Sequence, residues 1–336
     1  MRRTVILLAA AFAALCVTPT AFATQPATGV VQDYADLNGH CPNPEGIAID
    51  PNGNVYASSA PHVFGGTGPA TICVISTSGQ IRELPIAPGA AGVTNLLGML
   101  FEPSQGLYVT DLADGSPPNG RLLRVDPASG AVTTVTTGFA AANAIAQDRH
   151  RNLFVSDSFA GTITRVAPDG SNRVQWSSDS LLRPAPEFAF GANGLAFDRD
   201  QTSLYVANTS TRRILRIPIL ADGTAGPAQI FADGDTLNLR QGTTNALVRA
   251  DGILFDVSGN LYVCANVSGE IQVVAPDGSA ITTRYTGSGT NALDFPASLV
   301  FKGRQLFISN LSLLDDGAHS KVSVLTVPNP GLPLRP

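Results

Sequence analysis

Lysine is nearly missing from this sequence: two of its 21 basic residues are lysine, the other nineteen arginine, and no basic run or stripe occurs in 336 residues. Without such a footprint there is no reason to expect nucleic acid or an anionic membrane surface as a partner. Long apolar runs are also lacking past the N-terminus, so no membrane-spanning segment is predicted there. Helical periodicity is scarce. Cysteine is sparse too, and none of the four residues falls in a CxxC or a Cys/His cluster, which excludes a structural zinc site of the usual spacing.

What is present starts with an export signal. Arg2 and Arg3 precede an apolar stretch over residues 5–17, too short to cross a bilayer, and Ala21-Phe22-Ala23 offers an A-x-A cleavage site. Residues 1–23 are therefore read as a signal peptide and residues 24–336 as one exported domain, periplasmic or extracellular. Losing the two arginines takes the net charge from −5 to −7. Export permits a disulfide, and among Cys41, Cys73 and Cys264 the pair Cys41–Cys73 is the better placed, flanking the first repeat. The alternative is three buried small hydrophobes.

Glycine is plentiful, and one phrase recurs six times, over 44–58, 97–111, 143–157, 193–208, 251–266 and 297–310. Each copy runs through alternating apolar positions, a polar or acidic turn, then a leucine- or valine-led aromatic strand. Period-two alternation around such a turn is a hairpin signature. Steps of 46 to 58 residues between copies suit four-stranded blades, so the expected fold is an all-β, six-bladed β-propeller. Residues 213–219, 161–170 and 269–278 read as third strands, and 131–137 and 280–286 as outer ones. The unrepeated segment 29–37 is predicted to complete the last blade beside 321–327, which removes an exposed edge.

In a propeller the innermost strands line the axis, so their opening residues converge at one end of the channel. Those residues are Glu45, Leu97, Asn143, Asn193, Asp251 and Ala297. Four carry oxygen donors, each followed by glycine or alanine. Two carboxylates and two carboxamides facing one point suit a hard divalent cation, calcium more than zinc given all-oxygen ligands. Without a cation, Glu45 and Asp251 would repel and one pKa would rise. Read singly, Asn143 and Asn193 are ordinary turn formers; their shared register is what points to a site.

Glu45-Gly46, Asn143, the Asn193-Gly-Leu-Ala-Phe-Asp198 run and Asp251-Gly-Ile253 resemble the regucalcin and gluconolactonase (SMP-30-like) family, with paraoxonases and strictosidine-synthase-like proteins as distant relatives. The resemblance covers nearly the whole mature chain. It implies one calcium or zinc ion at the channel mouth held by Glu45, Asn143, Asn193 and Asp251, and hydrolysis of a lactone or related ester with Asp251 as catalytic acid/base. Leu97 in the second blade departs from a polar pattern and implies a more apolar small-molecule substrate than a sugar lactone. Ala144 implies that the second, buried calcium of paraoxonase-like relatives is absent.

His62 sits in a loop on the same face and could reach the site, although a surface histidine is the plainer reading. Two long loops, 182–192 and 233–250, lead into strand starts, and Phe188, Phe190, Leu237 and Arg240 are their candidate substrate contacts. Asp157 and Asn208 could orient Asn143 and Asn193, and Asn266 is read as turn chemistry. A rival reading is a non-catalytic, NHL-like propeller binding a ligand or protein; a third keeps the metal site but performs lyase or condensation chemistry. No protein partner is evident.

Overall fold

A computed structural model describes residues 28–61, 70–86, 93–114, 116–313 and 319–333. After β1 (Val31–Asp36), blade one comprises β2 (Pro44–Ile49), β3 (Val55–Ser59), β4 (Thr71–Ile75) and β5 (Ile81–Pro85). Blade two comprises β6 (Leu96–Glu102), β7 (Gly106–Asp111), β8 (Gly120–Val125) and β9 (Val132–Phe139). Blade three follows with β10 (Ala142–Gln147), β11 (Leu153–Asp157), β12 (Thr162–Val166) and β13 (Val174–Ser177). Blade four holds β14 (Ala192–Phe197), β15 (Ser203–Asn208), β16 (Arg213–Pro218) and β17 (Gln229–Asp233). Blade five holds β18 (Ala250–Phe255), β19 (Leu261–Ala265), β20 (Glu270–Val274) and β21 (Ile281–Tyr285). Blade six holds β22 (Pro296–Lys302), β23 (Gln305–Asn310) and β24 (Lys321–Thr326).

All six sheets are four-stranded and antiparallel, and β1 supplies the fourth strand of blade six by pairing with β24, Val31 opposite Leu325 and Asp36 opposite Lys321. First strands pack on first strands around the ring, β2 on β6 and on β22. The predicted six-bladed propeller and its N-terminal closure are thus the observed architecture. Cys41 and Cys73 form a disulfide with Cα atoms 6.0 Å apart, tying the segment after β1 to β4; Cys264 is free and buried.

The recurring turn residues have a mechanical reason. Asp50 accepts hydrogen bonds from the Asn54 backbone N–H (2.8 Å) and from its Nδ2 (2.7 Å), and Asp148 with Asn152 and Asp256 with Asn260 repeat the arrangement. The aspartate thereby holds the hairpin that carries the chain from the axial strand to the second one.

One segment differs from expectation. Residues 233–250 are not all loop, because Gly234–Gln241 form a helix, α1. Asp233 caps it by accepting from Thr236 N–H, and Gly242, in the left-handed region at φ 65°, ends it.

Candidate functional site

Each first strand carries a β-bulge at the same place. Between the pairs Pro44–Ser59 and Ile47–Ala57, residues Glu45 and Gly46 oppose Ser58 alone, and the same two-against-one count recurs in the other five blades. A bulge bends the strand and re-aims a side chain. Here it turns Glu45, Leu97, Asn143, Asn193, Asp251 and Ala297 out of the ladder in one register. The following small residue is sterically required: a Cβ on Gly46 would lie 2.1 Å from the Leu97 carbonyl oxygen, and one on Gly194 the same distance from that of Asp251.

A ring of side-chain clasps then locks each blade to the next. Ser58 Oγ donates to the Leu97 carbonyl (2.8 Å), Thr110 Oγ1 to that of Asn143, Ser158 Oγ to Ala192 (2.7 Å) and Thr209 Oγ1 to Ala250 (2.8 Å). Asn266 Nδ2 donates to the Pro296 carbonyl (2.6 Å), and Ser309 Oγ closes the circle on Glu45 (2.5 Å). Three clasps also hold the donor residues. Asn143 Nδ2 donates to Ser158 Oγ (3.1 Å), Asn193 Nδ2 to Thr209 Oγ1 (3.0 Å), and Asn266 Nδ2 to Asp251 Oδ2 (3.1 Å).

Ser158, Thr209 and Asn266 escape the sequence reading, although a signal exists. They lie 15 or 16 residues after Asn143, Asn193 and Asp251, whereas Ala60, Leu112 and Leu311 occupy that column in the other blades. Asp157 and Asn208 do not orient the amides as anticipated. Asp157 accepts from Ala140 and Ala141 N–H, and Asn208 Nδ2 donates to the Leu181 and Arg183 carbonyls. Asn266 does open a turn, Asn266–Ser268, as read, but its side chain also reaches Asp251 and the Pro296 carbonyl.

The four donors are buried, between 3 % and 7 % exposed. Burial and then the charge of Asp251 push the Glu45 carboxyl well above the usual carboxylate range. Burial likewise pushes Asp251 up to about 7, against the pull of hydrogen bonds from Asn266 and Asn193. Cys264, opposite the bulge of blade five, is held protonated by burial and by both carboxylates. Among the described residues Glu45 Oε2 has no hydrogen-bond partner, and a buried carboxylate oxygen left unpaired is costly. With both amide nitrogens bound to hydroxyls, Asn143 and Asn193 have their amide oxygens left to offer. The donor set therefore fits a hard cation of calcium type. Among the described residues no group of three or more His, Cys, Asp and Glu side chains has metal-binding spacing; only the amides bring this set to four.

Leu97 lies at the same register in a small apolar cluster with Ala60, Leu112 and Ala141, against which Phe159 packs. Phe190 meets Phe159 edge-on at 5.1 Å, Phe188 lies 5.4 Å from Phe190, and the Arg249 guanidinium sits 3.6 Å over the Phe188 ring. Arg249 stays below the usual arginine pKa because it is partly buried and because Arg212 is near, with Glu187 acting the other way. Two predicted contacts are elsewhere. Leu237 is buried in the core between blades four and five, since α1 turns it inward. Arg240 reaches outward, its Nη1 3.4 Å from the Ser279 carbonyl. His62 lies outside the described residues.

A cavity of about 680 Å³ opens at the other end of the same strands, lined by Ile49, Phe101, Gln147, Phe197, Phe255 and Phe301, one from each blade. It contains none of the donors, so size alone does not identify the candidate site.

Fold and mouth together define a class: a six-bladed β-propeller with a buried acid–amide cluster where its axis opens. The model of the SMP-30/Gluconolactonase/LRE-like region matches residues 172–310, a stretch that includes Asn193 and Asp251, so the resemblance read from the sequence is found by an independent route. No curated protein matches the chain by sequence. Solved structures share its fold. A gluconolactonase from Xanthomonas campestris is 17 % identical with a TM-score of 0.63, covering 89 % of each chain. Regucalcin from Agrobacterium tumefaciens, a calcium-binding protein, is 16 % identical at 0.62, covering 90 % of this chain and 95 % of that one. A luciferin-regenerating enzyme is 15 % identical at 0.63, covering 90 % and 97 %.

Proposed function

We propose that the channel mouth is the active site of an exported, divalent-metal-dependent hydrolase acting on a lactone or related ester. The observation that carries this reading is the buried Glu45 Oε2, which has no hydrogen-bond partner among the described residues and lies close enough to Asp251 to feel its charge, in one register with two amides whose nitrogens are already bound. Glu45, Asn143, Asn193 and Asp251 would hold the cation, calcium in preference to zinc. When bound, it supplies Lewis-acid stabilisation of the oxyanion that develops on the ester carbonyl.

The chain's own residues do the rest. Asp251 is the base for the attacking water, in reach of the carbonyl that the cation would polarise. Asn266 holds its Oδ2. Leu97, Leu112 and Phe159 give one side of the mouth an apolar wall, which favours a substrate less polar than a sugar lactone. The Cys41–Cys73 disulfide supports an oxidising compartment.

The test is the metal content of the purified protein, followed by a lactone panel with and without chelator. Calcium-restored activity that is lost in Asp251→Asn supports the assignment. Turnover indifferent to chelation and to Asp251→Asn would remove the mechanism, and normal metal binding by Glu45→Gln would remove the ligand set.

A further inference from the structure

We propose that Arg249 is a specificity-determining residue: it receives a carboxylate carried by the substrate, whose apolar body lies along Phe188, Phe190 and Phe159. This deepens the reading of the mouth as a lactone- or ester-hydrolysing site and rests on it. The aromatic rings form one continuous wall. It begins at the axis, where Phe159 packs on the cluster containing Leu97, passes through the ring contacts of Phe190 and Phe188, and ends under the guanidinium of Arg249. Arg249 stands two residues before Asp251, so the two Cα atoms are at most about 7 Å apart. One end of the wall is hydrocarbon beside the donors and the other is a cation.

Four other arginines have acids of their own: Arg121 pairs with Asp111, Arg151 with Glu102, Arg213 with Asp233 and Arg284 with Glu270. Arg249 has no carboxylate within salt-bridge distance and no side-chain hydrogen bond among the described residues. Its neighbour Arg212 turns toward Asp235 (3.7 Å), and Glu187 acts on Arg249 without pairing. Phe188 covers one face of the guanidinium, which leaves the fork of N–H donors at its edge for a planar anion. Carboxylate matches that fork bidentately.

The backbone agrees. Arg249 is held at φ 54° and Leu247 at φ 53°, both in the left-handed region. The segment is anchored from below, where Leu247 N–H donates to Gln272 Oε1 (2.8 Å) and Asn245 Nδ2 to Glu270 Oε1 (3.0 Å). Such anchoring fixes the backbone that carries Arg249, and the Phe188 ring seats its guanidinium.

The experiment compares dihydrocoumarin with its ring-carboxylated derivatives, using calcium-loaded wild type, Arg249→Met and Arg249→Lys. Wild type should favour a carboxylated lactone in kcat/KM by roughly 10- to 100-fold. In Arg249→Met the ratio should fall to near one, whatever the absolute rates, and Arg249→Lys should keep part of it. A wild-type ratio near one overturns the proposal, as does a preference that survives Arg249→Met. If no lactone is turned over, the functional reading fails but this one is still measured, by calorimetric titration with 3-phenylpropanoate and 3-phenylpropanamide. Tighter binding of the carboxylate that Arg249→Met abolishes supports it, and equal or absent binding of the two probes overturns it.

Discussion

Replacing Asp251 by asparagine should stabilise the metal-free protein at alkaline pH while destroying its metal response. In the folded, metal-free chain the Asp251 carboxyl is pushed from an ordinary 3.8 up to about 7, burial being the main cause. The folded state therefore holds a proton that the unfolded chain gives up. Stability from this group is complete below about pH 4 and is lost as pH rises through 7. At about 1.4 kcal/mol per pKa unit, ionising Asp251 in the folded state costs about 4 kcal/mol at pH 8, of which about 3 appears between pH 5 and pH 8. Glu45 acts in the same direction. For a chain of this size 1 kcal/mol moves Tm by roughly 2 °C, so Asp251→Asn should melt on the order of 8 °C above wild type at pH 8 after chelation. Near pH 4 the two should coincide. The asparagine keeps the length and the acceptor that Asn266 Nδ2 uses, while the bond from Asn193 is lost and offsets part of the gain. Scanning calorimetry of chelated samples at several pH values measures this, and added calcium should raise Tm in wild type alone. A variant no more stable than wild type at pH 8 would refute both the burial of that charge and the tension assigned to the mouth.

Four further outcomes follow from the structure. Thr209→Val removes the hydroxyl between the Asn193 amide and the Ala250 carbonyl, and calcium affinity by titration calorimetry should drop roughly 10- to 100-fold, with Thr209→Ser restoring it. Glu45→Gln should abolish the calcium-induced rise in Tm. Reducing Cys41–Cys73, which closes a span of 32 residues, should cost roughly 3 to 4 kcal/mol in a denaturant titration; Cys264, fully buried, should react with a thiol reagent only upon unfolding.

The propeller is legible because its repeat joins two local rules, strand alternation and the Asp50–Asn54 type of turn, within 15 residues. The donor register is legible for the same reason, since copies aligned on the turn also align at Glu45, Asn143, Asn193 and Asp251. The bulge is invisible, because it consists of two residues of β2 opposing one of β3, and a single strand does not carry that count. Ser158, Thr209 and Asn266 are hidden by distance: their clasp partners lie 30 to 41 residues away in the next blade. Leu237 misleads because α1 is a single short helix whose signal is its two caps, Asp233 and Gly242, rather than a periodic stripe. Arg249 is passed over because only the folded loop sets it upon Phe188.

The bulge has a consequence for how this protein can diverge. One position per blade is lifted out of the hydrogen-bonded ladder, so its side chain is turned toward the axis. Six such positions share a fixed frame: Leu97 and Ala297 stand in the same register as the donors, and a single replacement at either would add an oxygen donor to the ring. Lineages built on this frame can exchange one ion, charge state or substrate for another through point changes at the mouth, with the blades behind it untouched.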